Sequence, residues 1–438
     1  MYDKERNGSP LTGPLGSGGG LRASSRLGLG GLVWLLCSLV FSLWLGDGLN
    51  VPDVAERGGP AASDARIDAV GRQAAPPMGE REARLALAGL DALVIRTLPQ
   101  ALPFARWRRE EELPPGVADA GARRYRITGR CAPLRLAVAL LEKLHPATTS
   151  DFSALSAAGR DALRPRLAWT DEGVLEIRLN GRLSHSFYFP GRERELADLA
   201  RPMPTAALVL VIDDLGRSLE AAEALAALPF PVTLAVWPLA PKTGATAALA
   251  GQMGLDCLVH LPMEPLPRAD GSRPKPGPGA LFADMSPQAL AAVLEPDLAA
   301  APTALGLNNH MGSRFTGSAS ASRLLCAQLA GRGFVVLDSL TQPHSRLAEA
   351  ARAAGLVSVS RAVFLDTRRE SSAVLAALDA AAARARSAGF AVAIGHPYPE
   401  TLSALRRWQD KAATPVVPLR RLVWHLAQRQ AARDARGR

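Results

Sequence analysis

No two of the four cysteines, Cys37, Cys131, Cys257 and Cys326, stand close enough to form a CxxC pair. That spacing excludes a CxxC metal site and a thioredoxin-type redox motif, and it implies no disulfide framework. Dense basic runs are missing too. The net charge is +10, yet the arginines are scattered and only RQAARDARGR at 429–438 is concentrated. With no zinc-finger spacing, no RNP-like segment and no aromatic-interleaved basic patch, nucleic acid is not an expected partner. A basic surface facing an anionic membrane or an acidic glycan accounts for the charge instead. The composition is not that of a disordered chain: hydrophobic residues make up 48% and charged residues 21%. Its 438 residues leave room for two or three domains, or one large barrel with additions.

Charge is absent from residues 27–46, LGLGGLVWLLCSLVFSLWLG. At about 1.5 Å per helical residue they reach about 30 Å, one hydrocarbon core, so the stretch reads as a transmembrane signal anchor. Lys4, Arg6, Arg22 and Arg26 precede it against Asp3 and Glu5; Asp47, Asp53 and Glu56 follow it with Arg57. The positive-inside bias keeps the basic tail 1–26 in the cytoplasm and sends the rest across. The expected location is the inner (cytoplasmic) membrane, single pass, with the folded part periplasmic. A cleaved signal peptide competes with this reading, but the apolar run is longer than a usual signal core and no clear A-x-A site follows.

Residues 47–85 are rich in Gly, Pro and Ala without a sustained period, as in a linker. A small α+β domain is expected over 86–200. EARLALAGLDALVIRTLP (82–99) and PLRLAVALLEKLH (133–145) have helical spacing, and RRYRITGR (123–130) alternates like a strand. RLAWTDEGVLEIRLNGRLSHSFYF (166–189) is written as a meander of hairpins broken at DEG and NG. His185 lies in that meander alone and is assigned no chemistry.

From about 205 to 425 a beat repeats, in which an apolar run of four to six residues is followed by a polar turn and an Ala/Leu-rich helical stretch. The runs are ALVLVIDD (207), PVTLAVWP (231), DCLVHLP (256), ALGLNNH (304), FVVLDS (334), a weaker VSVSRAVFLD (357) and FAVAIGH (390). Continuous apolar strands alternating with helices mean a parallel sheet covered on both faces. Seven such units fit an incomplete (β/α) barrel better than an open sheet. A basic tail, 426–438, closes the chain.

Parallel α/β folds gather functional groups at the C-terminal ends of their strands. Those ends here carry Asp213 and Asp214; His260; Asn308, Asn309 and His310; Asp338 and Ser339; and His396. Singly, each has an ordinary explanation as a turn residue or a helix cap. Several strands ending in acid or imidazole groups at one rim would cost solvation energy without a purpose, so the set points to a metal site. One carboxylate and two neutral imidazoles form a donor set typical of catalytic zinc. Strand alternation sends adjacent Asp213 and Asp214 apart until the turn bends the chain, so one can hold metal while its neighbour serves as base.

The stretch from about 205 to 420 resembles the divergent polysaccharide deacetylases, a branch of the NodB-like carbohydrate deacetylases. The segments that carry the resemblance are VIDDLG (211–216), HLPMEP (260–265) with the loop PGPGAL (276–281), NNHMGS (308–313), LDS (337–339) and GHP (395–397). It implies a NodB-like (β/α)7 barrel preceded by a membrane anchor and the small α+β domain. It also implies hydrolysis of N-acetyl groups on a glycan with a divalent metal, zinc being the expected ion. By similarity of IDD to the family's first motif, Asp213 is the expected general base and Asp214 a metal ligand. By similarity of GHP to a late motif, His396 is the expected general acid. The family's motif of two His four apart is absent here, as is its Arg-x-Pro-Tyr motif. His260 and His310 are therefore expected as ligands on the geometry of the fold. Glu264, Asn309 and Asp338 are candidates for orienting side chains or touching substrate, with helix capping the alternative for the two acids. Trp237 either stacks on a sugar or packs in the core, and the loop GSRPKPGPG (271–279) is a candidate wall for an extended substrate.

Two other functions remain open on the sequence. One is a non-catalytic barrel that binds a glycan or an envelope protein; the other is a metal-dependent hydrolase for a different amide or ester.

Overall fold

The computed structural model describes residues 78–110, 121–144, 150–408 and 414–434. The tail 1–26, the expected span 27–46 and most of the linker lie outside the described residues. Among the described residues no helix is long and apolar enough to cross a membrane.

The first part is built on α1 (Glu80–Ala101) and α2 (Pro133–Lys143). Leu90, Leu93, Val94 and Leu98 of α1 recur at helical spacing and are all buried. Five strands accompany them: β1 (Ala105–Arg109), β2 (Arg123–Gly129), β3 (Pro165–Trp169), β4 (Leu175–Leu179) and β5 (Arg182–Tyr188). Their order in the sheet is β1-β2-β5-β4-β3. The expected meander is β3, β4 and β5, each antiparallel to the next. The NG turn works because Asn180 and Gly181 both take positive φ, as a two-residue hairpin loop requires. His185 is buried in this sheet, with Nε2 2.8 Å from Asp91 Oδ1.

The second part is one parallel sheet of β6 (Ala207–Leu215), β7 (Thr233–Val236), β8 (Cys257–Met263), β9 (Gly306–Met311), β10 (Val335–Asp338), β11 (Ser358–Ser360), β12 (Val363–Phe364) and β13 (Phe390–Gly395). The order is β11-β10-β9-β8-β7-β6-β13-β12, and the neighbours are parallel throughout. The weak run VSVSRAVFLD, sixth of the seven, is the element that differs from a simple strand. It splits into β11 and β12, which sit at opposite edges of the sheet. The two residues between them span the seam: Arg361 N donates to Asp338 O at 2.9 Å and Ala362 N to Val392 O at 2.8 Å. The sheet is therefore curled almost shut, with a break at its least regular strand.

Period-two alternation divides the strand side chains into two sets. Leu208, Leu210, Ile212, Val259, Leu261, Val336, Ala391 and Ala393 pack into one core with the covering helices. Val209, Val211, Leu258, Val335, Leu337, Val359, Val392 and Ile394 belong to a second core, which is continuous with Leu90, Leu98, Ile127, Ile177 and Phe187 of the first part. The C-terminal helix α12 (Leu419–Asp434) adds Val423 and Trp424 to that shared core, so residues 426–434 continue a helix. Its start is fastened by buried Asp256, which accepts from Arg420 N at 2.7 Å and from Arg420 Nη1 at 2.8 Å.

Helix α7 (Pro287–Ala300) turns Asp297 inward beneath the loop at Gly279, with Oδ2 unpartnered. Burial pushes this carboxyl up to about 7. An unfolded-state aspartate titrates near 4, so the folded protein retains a proton that the unfolded chain loses as pH rises. Stability from this group is thus present at low pH and lost as pH rises toward about 7. The thermal midpoint should fall between pH 5 and pH 8 by less in Asp297→Asn than in the wild type; an equal fall in both proteins would refute this.

Candidate metal and acid–base site

The side chains at the rim continue the parity of the shared core. Asp213 follows Val209 and Val211, His260 follows Leu258, and His396 follows Val392 and Ile394, so each points to the same side of the curled sheet. By the same alternation Asp214 would point away toward the helices. It does not, because its φ is 58° and the pairing of β6 with β7 slips between Ile212 and Leu215. This kink swings the carboxylate back over the rim. Asp tolerates the left-handed region better than most residues. Gly216 follows at φ 103°, where a Cβ would stand 2.9 Å from Val236 Cγ1, so the turn that aims the pair requires glycine.

Asp214, His260 and His310 converge. Asp214 Oδ1 lies 3.3 Å from His260 Nε2 and 3.1 Å from His310 Nδ1, and the two imidazole nitrogens are 3.0 Å apart. All three ligand atoms fall within 4.8 Å of one another, a spacing that suits a metal ion.

Asn308 sets which His260 nitrogen faces this cluster. Its Nδ2 donates to Asp213 Oδ1 at 2.8 Å, so its Oδ1 must accept from His260 Nδ1, 3.0 Å away. The proton is thereby held on Nδ1, leaving the Nε2 lone pair aimed at Asp214 and His310. When His310 Nδ1 is also deprotonated, three electron-rich donors face one another at about 3 Å, a repulsion that a cation among them turns into ligation. The donor set therefore fits a divalent ion.

Electrostatics follow from burial and these contacts. Asp213 is 3% exposed, and burial raises its pKa despite the opposing pull of His260 and Asn308. Burial would also raise Asp214, but the His260 and His310 imidazoles beside it outweigh burial and hold the group well below the carboxylate range. For His260 burial is outweighed by Asp213 and Asp214 and the pKa rises; for His310 burial prevails and it falls.

His396 completes the rim from β13. Its Nε2 is 3.9 Å from Asp214 Oδ2, while Nδ1 lies 3.0 Å from Asp366 Oδ1. Asp366 also accepts from His396 N at 2.5 Å and from Thr401 Oγ1 at 2.9 Å. Burial opposes charge on His396, but the Asp366 hydrogen bond outweighs it and raises the pKa. Asp366 thus fixes the ring with Nε2 toward the cluster.

The chain belongs to the divergent polysaccharide deacetylase family. Residues 210–423 match that family. The uncharacterized protein YibQ of Escherichia coli (strain K12) is 30% identical over 224 residues, which cover 50% of this chain and 69% of YibQ. An uncharacterized protein of Haemophilus influenzae is 34% identical over 199 residues, covering 45% of this chain and 69% of its own length. Among solved structures, the uncharacterized protein ATU2773 from Agrobacterium tumefaciens C58 aligns with TM-score 0.47 and 23% identity over 52% of this chain and 94% of ATU2773.

Of the residues singled out in the sequence, Asp213, Asp214, His260, His310 and His396 meet at one point. Four others take different places. Glu264 accepts from Ala283 N at 3.0 Å and from Arg314 Nη1 at 2.5 Å, tying two loops together. Asp338 accepts from Leu340 N and Ser345 Oγ and holds the loop that leaves β10. Neither acid orients an imidazole or caps a helix. Asn309 points away from Asn308: its Oδ1 accepts from Ser339 N and its Nδ2 donates to Met311 O. Trp237, 8% exposed, donates Nε1–H to Asp214 Oδ1 at 2.8 Å, with its ring 4.3 Å from that of His310. The indole is therefore committed to positioning ligands and offers no open face to a sugar. Its outer edge is covered by Gly277 of the long loop, where a Cβ would come within 2.5 Å of Trp237 Cζ3.

Asn308, placed at the rim but given no role, and Asp366 are the participants that sequence reasoning missed. Asn308 stands two residues before His310, on the same strand face, and that parity is the signal that identifies it. Asp366 ends the split sixth run, one strand from His396.

Proposed function

We propose that this chain is a metal-dependent hydrolase that removes N-acetyl groups from a glycan. The observation that carries this reading is the meeting of Asp214, His260 and His310 with a buried, unligated carboxylate on one side and an Asp-oriented histidine on the other. Family membership supports the same chemistry. In this reading residues 27–46 anchor the protein in the cytoplasmic membrane and the barrel works in the periplasm.

Asp214, His260 and His310 would hold the ion, and two imidazoles with one carboxylate favour zinc. When bound, such an ion supplies Lewis-acid polarisation of the amide carbonyl and activation of water near neutral pH. The chain's own groups do the rest. Asp213, whose Oδ1 is held by Asn308, takes a proton from the attacking water. His396 gives a proton from Nε2 to the departing amine, and Asp366 stabilises the imidazolium beforehand. Trp237 keeps one oxygen of Asp214 turned toward the imidazoles and screens it from solvent.

Acetate release from N-acetylated oligosaccharides tests the proposal. The zinc-loaded full-length protein should release acetate, a chelator should stop it, and added zinc should restore it. If no N-acetylated glycan yields acetate above blank while the protein is folded and metal-loaded, the hydrolase assignment fails.

A further inference from the structure

We propose that Arg217 and Arg369 form a clamp on either side of this site that selects an acidic glycan, one with carboxylates on sugars next to the residue being deacetylated. This rests on the hydrolase reading above and names its substrate class.

Each arginine is held against an aromatic ring that itself touches a site residue. Arg217 follows the Gly216 turn, and its guanidinium carbon lies 5.3 Å from the Trp237 ring centroid; that indole is bonded to Asp214. The Arg369 guanidinium carbon lies 3.8 Å from the centroid of Tyr398, and its Nη2 donates to Tyr398 Oη at 2.8 Å. The Tyr398 ring is 5.2 Å from that of His396. The strand order β7-β6-β13-β12 puts the Arg217 stack at the β7 side of Asp214 and the Arg369 stack at the β12 side of His396. The two cations therefore bracket the reactive centre.

Both are exposed, and neither meets a carboxylate among the described residues. Three other arginines of the barrel are neutralised, Arg314 by Glu264, Arg332 by Glu295 and Arg346 by Glu349; what sets Arg217 and Arg369 apart is an aromatic ring that leads directly to a site residue. A guanidinium laid on an aromatic plane loses little rotamer freedom on binding and keeps its edge donors for a bidentate anion. A neutral sugar offers two such groups only uncharged hydroxyl acceptors, whereas a uronate carboxylate is charged and fits the arginine fork.

Exposed ion pairs are weak, so the expected discrimination is about threefold to tenfold per arginine at low salt. The test measures binding of a hyaluronan hexasaccharide, which carries glucuronates, and of uncharged chitohexaose to the full-length Asp213→Asn protein. The acidic ligand should bind at least about tenfold tighter at 50 mM salt, with the preference fading at 300 mM. In Arg217→Gln/Arg369→Gln the ratio should drop to about one and lose its salt dependence. Equal affinities in the parent protein, or a preference that survives in the double variant, would overturn the clamp. Acetate release by the Asp213-containing protein is scored separately. Preferential binding without acetate keeps the clamp and removes the hydrolase, whereas equal acetate release from both glycans with no arginine dependence does the reverse.

Discussion

Asparagine in place of Asp213 leaves a folded, metal-loaded protein whose acetate release falls by about 10²- to 10⁴-fold, the contribution expected of a general base. The isosteric exchange is informative because of Asn308. Its Nδ2 donates to Asp213 Oδ1, and an asparagine side-chain oxygen accepts the same bond. Asn308 then keeps its orientation, its Oδ1 still receives His260 Nδ1–H, and His260 Nε2 still faces Asp214 and His310. Only proton affinity is removed. The burial that raises the Asp213 pKa makes the native carboxylate the stronger base. Metal content, thermal midpoint and acetate release measured on the same preparation separate the roles. An unchanged rate would dismiss Asp213 as the base, and a loss of metal would make it a ligand.

The second large effect is on metal affinity. Asp214→Asn should lower zinc affinity by about 100-fold or more, because one anionic ligand of three is replaced by a neutral amide. Alanine is the poorer substitution, since it would strain a position with φ 58° and leave Trp237 Nε1 without its acceptor. Asparagine tolerates that backbone and can still accept from the indole, so the fold survives the test. The thermal shift produced by zinc should vanish with it, since stabilisation by a ligand follows its affinity for the folded state. Zinc titration with a competing chelator reads the change directly; wild-type affinity in this variant would exclude Asp214 from the metal site.

The parallel sheet and the rim acids and imidazoles were legible in the sequence because both rest on short-range pattern. Apolar runs between alanine-rich helices specify a buried parallel strand. A strand that points Val209 and Val211 inward must point Asp213 inward as well. Relationships set by long-range pairing were not legible. Asn308 and Asn309 are chemically identical, and only the face of β9 decides that the first orients His260 while the second closes a turn. Asp366 emerges from a strand that divides across the seam, so its approach to His396 depends on β12 lying beside β13. Asp338 looked equivalent to the other rim acids, but its parity opposes Leu337 and turns it to the loop. Trp237 could stack on a sugar or pack in the core as far as its position tells; the hydrogen bond that commits it to Asp214 comes from the kink at that residue.

The interior of the curled sheet is lined by the same apolar cluster that fills the space between α1, α2 and the five-stranded sheet. Kinship runs over residues 210–423, but cooperative folding has no reason to respect that border. Cutting the chain near 205 would strip the cover from Val209, Leu258, Val335 and Val392 and present the bottom of the barrel half to water as a greasy open end. What is inherited as a module and what holds together as a body are thus different lengths of this polypeptide, and the part before the barrel serves as its stopper.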